Sequence, residues 1–505
     1  MGRWQVVPHL LSMPIPNNLT QNSIHATWWS AVEISIRYSM QFAVTMVLAR
    51  LLTPADFGLL AMLLVFIGFA AVLVEGGLGT ALVQKQVTNA NDETTVFLIN
   101  LGVAFALAGL LWLMAPVIAM FYNQLLLIPL LQAMLWLLPL GALVTVPNAL
   151  LSQRLEFRKR AMAELVASTG SALLALWLAW RGWGVWSLVW QALTGAVLRA
   201  ALLWWVSGWR PQGRFNGAAF AELFRFAGPL LLANAMNVAS VRLQALMIGK
   251  LFDARALGFY GLAQDTQQAP AQFMNALINR VGLPVFSKVA REQPGQMAGA
   301  LRLALRLSMF VFAPCMGGIA VLASPLVLVL YGPQWAEVAP ILSILALAAI
   351  FWPLHVLNLA ALSALGRADL VLRMEIIKAL TMIPLVLVAS FFGVIMVAWA
   401  VLGSSLVCVV INTWHSRRLL GCGLSTQIRD LLPGFLLTLA AVCMSGLVAG
   451  WVEQRLLSLG MAIGVAMFIY LGGATVLRLR AWGDLLKFIN TLCGVHSPTS
   501  GASLT

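Results

Sequence analysis

Charge is what this 505-residue chain has least of: Asp, Glu, Lys and Arg make up 10%, against 61% hydrophobic residues. That balance excludes a soluble domain of this length. Cysteine is also scarce. Cys315, Cys408, Cys422, Cys443 and Cys493 show no metal or redox spacing, which excludes a zinc ribbon or a disulfide framework, and they read as free thiols. Catalytic signatures are missing as well. There is no Walker loop, no HExxH, no paired-cysteine site and no carboxylate pair suited to glycosyl transfer, and the isolated GxG patterns have no strand before them. Long extramembrane loops are lacking, so a membrane polymerase, ligase or glycosyltransferase has nowhere to keep its catalytic residues. Short alternating strands are absent, which excludes an outer-membrane barrel. Residues 1–26 lack a cleavable signal arrangement and read as a short cytoplasmic tail.

What is there is apolar runs. Fourteen spans lie at roughly 27–50, 54–75, 95–121, 124–151, 161–180, 184–206, 224–249, 255–281, 304–331, 336–364, 369–391, 393–416, 428–450 and 456–477. The fold class is therefore all-α: a polytopic helical membrane protein with no room for a soluble domain. The net charge of +14 invites a nucleic-acid reading, but its placement argues otherwise. Arg50, Arg181, Lys250, Arg255 and Arg455 fall outside; Arg37, Arg199, Arg242, Arg280 and Lys378 lie within spans; the other 21 of 31 cations sit at loops, tails or span ends on one side. This positive-inside bias puts both termini in the cytoplasm. The basic loop SQRLEFRKR, Ser152 to Arg160, fits the same role, with anionic-lipid binding as the alternative.

The first span carries Ser30, Glu33, Arg37 and Gln41 on one helical face. Charges at membrane depth normally face a bundle interior or a wet cavity. After it comes an outer corner, LLTPADFG (Leu51–Gly58), and 200 residues later the corner returns: Arg50-Leu51-Leu52 matches Lys250-Leu251-Phe252, and Gly58 matches Gly258. Such a repeat predicts two homologous lobes around a shared interior, a common transporter plan. The expected layout is a tail at 1–26, a six-span lobe at 27–206, a linker at 207–220, a second six-span lobe at 221–420, and two further spans with a cytoplasmic tail at 421–505.

The second lobe opens with Asn234, Asn237, Arg242 and Gln244. Span eight is the most polar: Gln264, Gln268, Gln272, Asn275 and Asn279 form a ladder, Asp265 sits beside it and Pro270 interrupts it. The ladder is either an interhelical packing seam or a wet, substrate-facing surface, and five amides in one row exceed what a seam needs. His355 and Asn358, and Glu375 and Lys378, are i, i+3 pairs suited to packing; Glu164 lies in span five with Ser168 and Ser171. The chemistry left to the chain is binding inside a membrane cavity. Arginine presents five donors and suits phosphate bidentately, so Arg37 and Arg242 point to an anionic, phosphate-bearing cargo. The competing account pairs Arg37 with Glu33 and Arg242 with Asp265, as struts.

The pieces ARLLTPADFGLLAM (Ala49–Met62), GLGTALVQK (Gly77–Lys85), LEFRKRAMAELVA (Leu155–Ala167), GWGVWSLV (Gly182–Val189), LGFYGLAQ (Leu257–Gln264), GLPVFSKV (Gly282–Val289) and YGPQWAEVAPILSILAL (Tyr331–Leu347) together resemble the polysaccharide transporter family of the multidrug/oligosaccharidyl-lipid/polysaccharide flippase superfamily. The resemblance implies two six-helix lobes with two further helices and a central cavity. It implies flipping of undecaprenyl-pyrophosphate-linked oligosaccharides across a bacterial inner membrane by alternating access, for exopolysaccharide, capsule or O-antigen. The protein would be a transporter with no catalytic residue, metal or cofactor, in the company of membrane lipids and of the polymerase and export proteins of its pathway. Its cavity set would be Arg37, Arg242, Glu33, Gln41, Asn237, Gln264, Asp265, Gln268, Gln272 and Asn275. The alternative within the superfamily is a drug/cation antiporter, which would want acidic cavity residues.

Overall fold

The computed structural model describes residues 39–492 apart from 86–87, 155, 279–281 and 452–453, and every regular element among them is helical. In the first half these are α1 (Ser39–Leu51), α2 (Pro54–Glu75), α3 (Leu78–Gln84), α4 (Ala90–Tyr122), α5 (Leu127–Met134), α6 (Leu137–Gln153), α7 (Phe157–Trp180) and α8 (Val185–Ser207). The second half holds α9 (Gly217–Leu251), α10 (Ala254–Leu277), α11 (Leu283–Glu292), α12 (Met297–Val321), α13 (Ala323–Leu330), α14 (Val338–Ala349), α15 (Trp352–Ala364), α16 (Ala368–Ser390) and α17 (Val394–Leu420). Then follow α18 (Leu424–Trp451), α19 (Arg455–Val476) and α20 (Arg480–Leu492).

Among the described residues, eleven helical segments are long and apolar enough to cross a membrane. The amide-rich α10, the charged α16 and α1, described from Ser39, make the arrangement consistent with fourteen spans. The chain is a multi-pass membrane protein.

Local chemistry sets the helix ends at the corners. Thr53 and Asp56 form a capping box at the start of α2, with Pro54 in its first turn, where a missing N–H costs nothing. Two hundred residues on, Asp253 caps α10 by accepting from the Ala256 N–H at 2.7 Å. α2 and α10 form the most extensive contact between the halves. Their approach is so close that it needs both repeat glycines. A Cβ on Gly58 would lie 1.6 Å from the Ala254 carbonyl oxygen, and one on Gly258 would lie 1.9 Å from the Pro54 oxygen. Position 58 meets 254 and position 258 meets 54, as an approximate two-fold axis through the corner requires.

The same reciprocity governs the corner cations. Arg50 donates from Nε to the Leu330 carbonyl at 2.9 Å and from a second nitrogen to Val329, at the C-terminus of α13. Lys250 donates to the Phe121 carbonyl at 2.6 Å, at the C-terminus of α4. Each half thus sets a cation on the last carbonyls of a helix of the other half, where the helix dipole is negative. Trp335 Nε1 and Gln334 Nε2 add bonds to the Ala49 carbonyl at 2.7 and 2.8 Å. The corner end of the bundle is sealed by contacts between the halves.

At the other end the link between halves is stapled down. The backbone N–H groups of Gly213, Arg214 and Asn216 donate to Thr94, Asn91 and Thr95 at the start of α4, at 2.8 to 3.0 Å, and Trp209 Nε1 donates to Glu93 at 2.7 Å. Gly213 lies against the Ala90 backbone, where a Cβ would come within 2.1 Å of the carbonyl oxygen. The stretch Leu78–Gln84 is the packed helix α3, with Leu78, Ala81 and Leu82 buried between α6 and α9. Beside it Lys85 meets Glu222 at 2.9 Å and the buried Asp92 at 3.1 Å, and these partners hold its ammonium above the usual lysine range.

The last two spans are tied on by polar contacts that composition had not suggested. Arg302 of α12 grips Asp430 of α18 with two nitrogens, at 2.5 and 2.8 Å, and Arg306 reaches Asp484 of α20 at 2.8 Å.

Candidate functional site

The site is built on α9 and α10, the helices that flank α2. α10 has a buried face, with Thr266, Gln267, Ala271 and Met274, and an open one. Asp265 and Gln272 are exposed and Gln268 is half-buried. At 3.6 residues per turn a row at i, i+4, i+8 drifts round the helix. The open face therefore runs Asp265–Gln268–Gln272, with Gln264 at its flank, half-buried. Asn275, three turns on from Gln264 and at the same flank, accepts a hydrogen bond from Trp352 Nε1 at 3.3 Å. Asp265, read from sequence as a neighbour of the ladder, stands in line with it. The buried face is fastened by Thr266 to Tyr331 at 2.8 Å and by the Tyr260 hydroxyl to Gln244 of α9 at 2.6 Å.

Arg242 lies on α9 nine residues before its end at Leu251, about 14 Å along the axis. It is half-buried and lies over Gly68 of α2: a Cβ there would sit 3.3 Å from Nε and 3.5 Å from a terminal guanidinium nitrogen. Asp265 attracts it electrostatically, but among the described residues no carboxylate closes an ion pair on it. Two other cations within spans are matched by carboxylates. Arg199 meets Glu164 at 3.0 Å across α7 and α8, and Lys378 meets Glu375 at 2.9 Å. Arg242 also borders a cavity of about 420 Å³, otherwise lined by apolar residues of α2, α4 and α9.

Asn237, on α9, is exposed, as is Gln41 on α1. Glu33 and Arg37 lie outside the described residues. His355 is held by Ser405 and Asn412, each at 3.1 Å, and Asn358 is bonded to Ser416 at 2.6 Å and to Gln427 at 3.1 Å. These are packing roles, as the sequence suggested. Sequence reasoning missed Gly68, which gives Arg242 its seat, and the partners of Arg50 and Lys250. Gly68 carries no local signal; the two cations did, since they stand in register in the repeat.

Residues 47–340, which take in both corners and all of α2, α4, α9 and α10, match the family described as polysaccharide biosynthesis protein. The chain belongs to that family. It is 30% identical over 319 residues, 63% of this chain and 64% of the relative, to the succinoglycan biosynthesis transport protein ExoT of Rhizobium meliloti (strain 1021). It is 25% identical over 441 residues, 84% of this chain and 88% of the relative, to the teichuronic acid biosynthesis protein TuaB of Bacillus subtilis (strain 168). In fold it is similar to the lipid II flippase MurJ in an inward closed conformation, with a TM-score of 0.74 at 15% identity, over 90% of this chain and 100% of that one. One relative is named as a transport protein, and the fold is shared with a flippase. Within this polysaccharide biosynthesis family member, the two repeat corners and the arginine-bearing α9 all fall inside the matched region.

Proposed function

We propose that this protein carries undecaprenyl-pyrophosphate-linked oligosaccharide units across the bacterial inner membrane by alternating access, for surface polysaccharide synthesis, with both termini cytoplasmic. One lobe spans residues 27–206 and the other 221–420, joined by the 207–220 linker, with residues 421–505 as an appendage. One observation carries the cargo reading: the Arg242 guanidinium, about 14 Å in from the corner end of α9 and seated on Gly68, which no carboxylate among the described residues neutralises by contact, beside the open polar face of α10. A half-buried cation without a contact partner is costly inside a membrane span, and an anionic ligand that neutralises it in the loaded state accounts for its place there. Asp265, Gln268, Gln272, Gln264, Asn275, Asn237 and Gln41 supply donors and acceptors for sugar and phosphate oxygens; Arg37 and Glu33 belong to the same set by their register with Gln41. A drug/cation antiporter would instead want an unopposed carboxylate, and Asp265 shares its surroundings with Arg242. No chemical step is assigned to the protein, and polymerase and export proteins would act on what it delivers.

The test is surface-glycan complementation in a deletion strain, read with membrane protein level. Arg242→Ala should abolish surface glycan at normal protein level, and Arg242→Lys should retain part of the function. Loss of protein from the membrane in Arg242→Ala, restored by adding Asp265→Ala, would make the arginine a strut.

A further inference from the structure

The cavity beside Arg242 is chemically unlike the polar face of α10. Its floor is α2 (Val65, Phe66, Phe69), one wall is α4 (Leu107, Leu110, Leu111) and the other is α9, with Arg242 the only polar side chain among the described residues lining it. At about 420 Å³ it falls within the roughly 300–1,000 Å³ of small-molecule sites, enough for a segment of hydrocarbon chain. The groove is open along one side: Leu110, Phe69 and Ala239 at its rim are exposed. The guanidinium stands at the junction. It borders the apolar groove on one side and is attracted by Asp265 of the polar face on the other. An amphiphile with an anionic group between a hydrocarbon chain and a polar head matches that sequence of surfaces: apolar wall, cation, amide row. An arginine serves this junction well, because its aliphatic stem packs on the groove while its fork meets phosphate.

On the reading of the cargo given above, we infer that the groove between α2, α4 and α9 holds the first part of the cargo's polyprenyl chain, with the phosphate on Arg242 and the sugars along α10. The chain then leaves the protein sideways, past Leu110 and Ala239, so only the charged head has to enter the polar interior. The groove is a specificity site for lipid chain length, separate from the residues that recognise the head.

Binding by the full-length protein in lipid nanodiscs separates the two. The probes are undecaprenyl pyrophosphate and methyl pyrophosphate, which carries the phosphates without an isoprene chain. Wild type should bind the long-chain probe more tightly, by at least about tenfold. Leu110→Trp on the α4 rim and Ala239→Phe on the α9 rim should each remove that preference while leaving methyl pyrophosphate affinity within about twofold, and Arg242→Gln should weaken both probes by about tenfold or more. Unchanged melting temperature in at least one of the two rim variants keeps the comparison valid. A full chain-length preference in both groove variants overturns the inference and leaves the flippase reading standing. So does a phospholipid that stays bound in the groove and is not displaced by undecaprenyl pyrophosphate. Binding of neither probe by wild type overturns the flippase reading, and the groove assignment with it.

Discussion

Substituting the two corner glycines should unseat the closed corner in a way that only a reciprocal contact can produce. At Gly58 an added Cβ would meet the Ala254 carbonyl oxygen at 1.6 Å, where ordinary contact begins at 3.4 Å; at Gly258 the figure is 1.9 Å, from the Pro54 oxygen. Both obstructing atoms are backbone, so no rotamer change relieves them. α2 and α10 must part by about 1.5 to 1.8 Å, and overpacking of this kind typically costs about 1–3 kcal/mol. Spread over a two-state closure, that shifts the closed-to-open ratio by about 5- to 150-fold. Gly58→Ala and Gly258→Ala should therefore act alike. The double variant should cost little more than either single one, because helices parted for one methyl already have room for the other. That sub-additivity is the diagnostic, since independent sites add within about 0.3–0.5 kcal/mol. Spin labels at the exposed Leu51 and Leu251 report the separation by pulsed dipolar spectroscopy, beside membrane protein level and surface glycan. An unchanged distance distribution in both single variants, or strictly additive effects in the double, would refute the reciprocal packing argument.

Three further outcomes follow from other contacts. Arg50→Gln and Lys250→Gln each remove a cation from a helix C-terminus, worth about 0.3–1 kcal/mol; the double variant should show more labelling, by an impermeant thiol reagent from outside, of a cysteine at Thr266 than wild type does. In a cysteine-free background, Gln268→Cys and Gln272→Cys should react with a soluble thiol reagent while Ala271→Cys and Met274→Cys on the buried face do not; equal protection of all four would make the row a packing seam. Glu164→Ala strands Arg199 without its partner at 3.0 Å and should lower the amount of protein in the membrane, and adding Arg199→Leu should restore it.

Much of the fold was legible in the sequence because the bilayer dictates it. Span length and the clustering of cations come from the solvent on either side, and the repeat of the corner was visible as letters 200 apart. Helix α10 shows where reading stops. Its amides could be counted, but a row at i, i+4, i+8 drifts round a helix, and only the structure shows that Asp265, Gln268 and Gln272 share the open face. The Arg242–Asp265 pair was a fair expectation from charge alone. Whether two charges touch depends on where neighbouring backbones let them go, and here Gly68 seats the guanidinium without any carboxylate in contact. Glu164 was noticed with Ser168 and Ser171 along its own helix, but its ionic partner Arg199 lies on the next helix, where local spacing gives no sign of it. Expectations for Glu33 and Arg37 concern residues outside those described.

The two tyrosines behind the corner show that the seal is lopsided. Tyr331 rests its hydroxyl on Thr266; its counterpart Tyr122 is buried with an unbonded hydroxyl, against the ring of Phe66, the residue that answers to Thr266. An unmet buried hydroxyl costs about 1–3 kcal/mol, so the two edges of the closure are not equally strong. The two edges of the repeat thus differ, one a weld and the other a perforation. When the corner tears open it should begin at Tyr122, and the bundle then has a preferred direction of peeling that a truly symmetric ancestor could not have had.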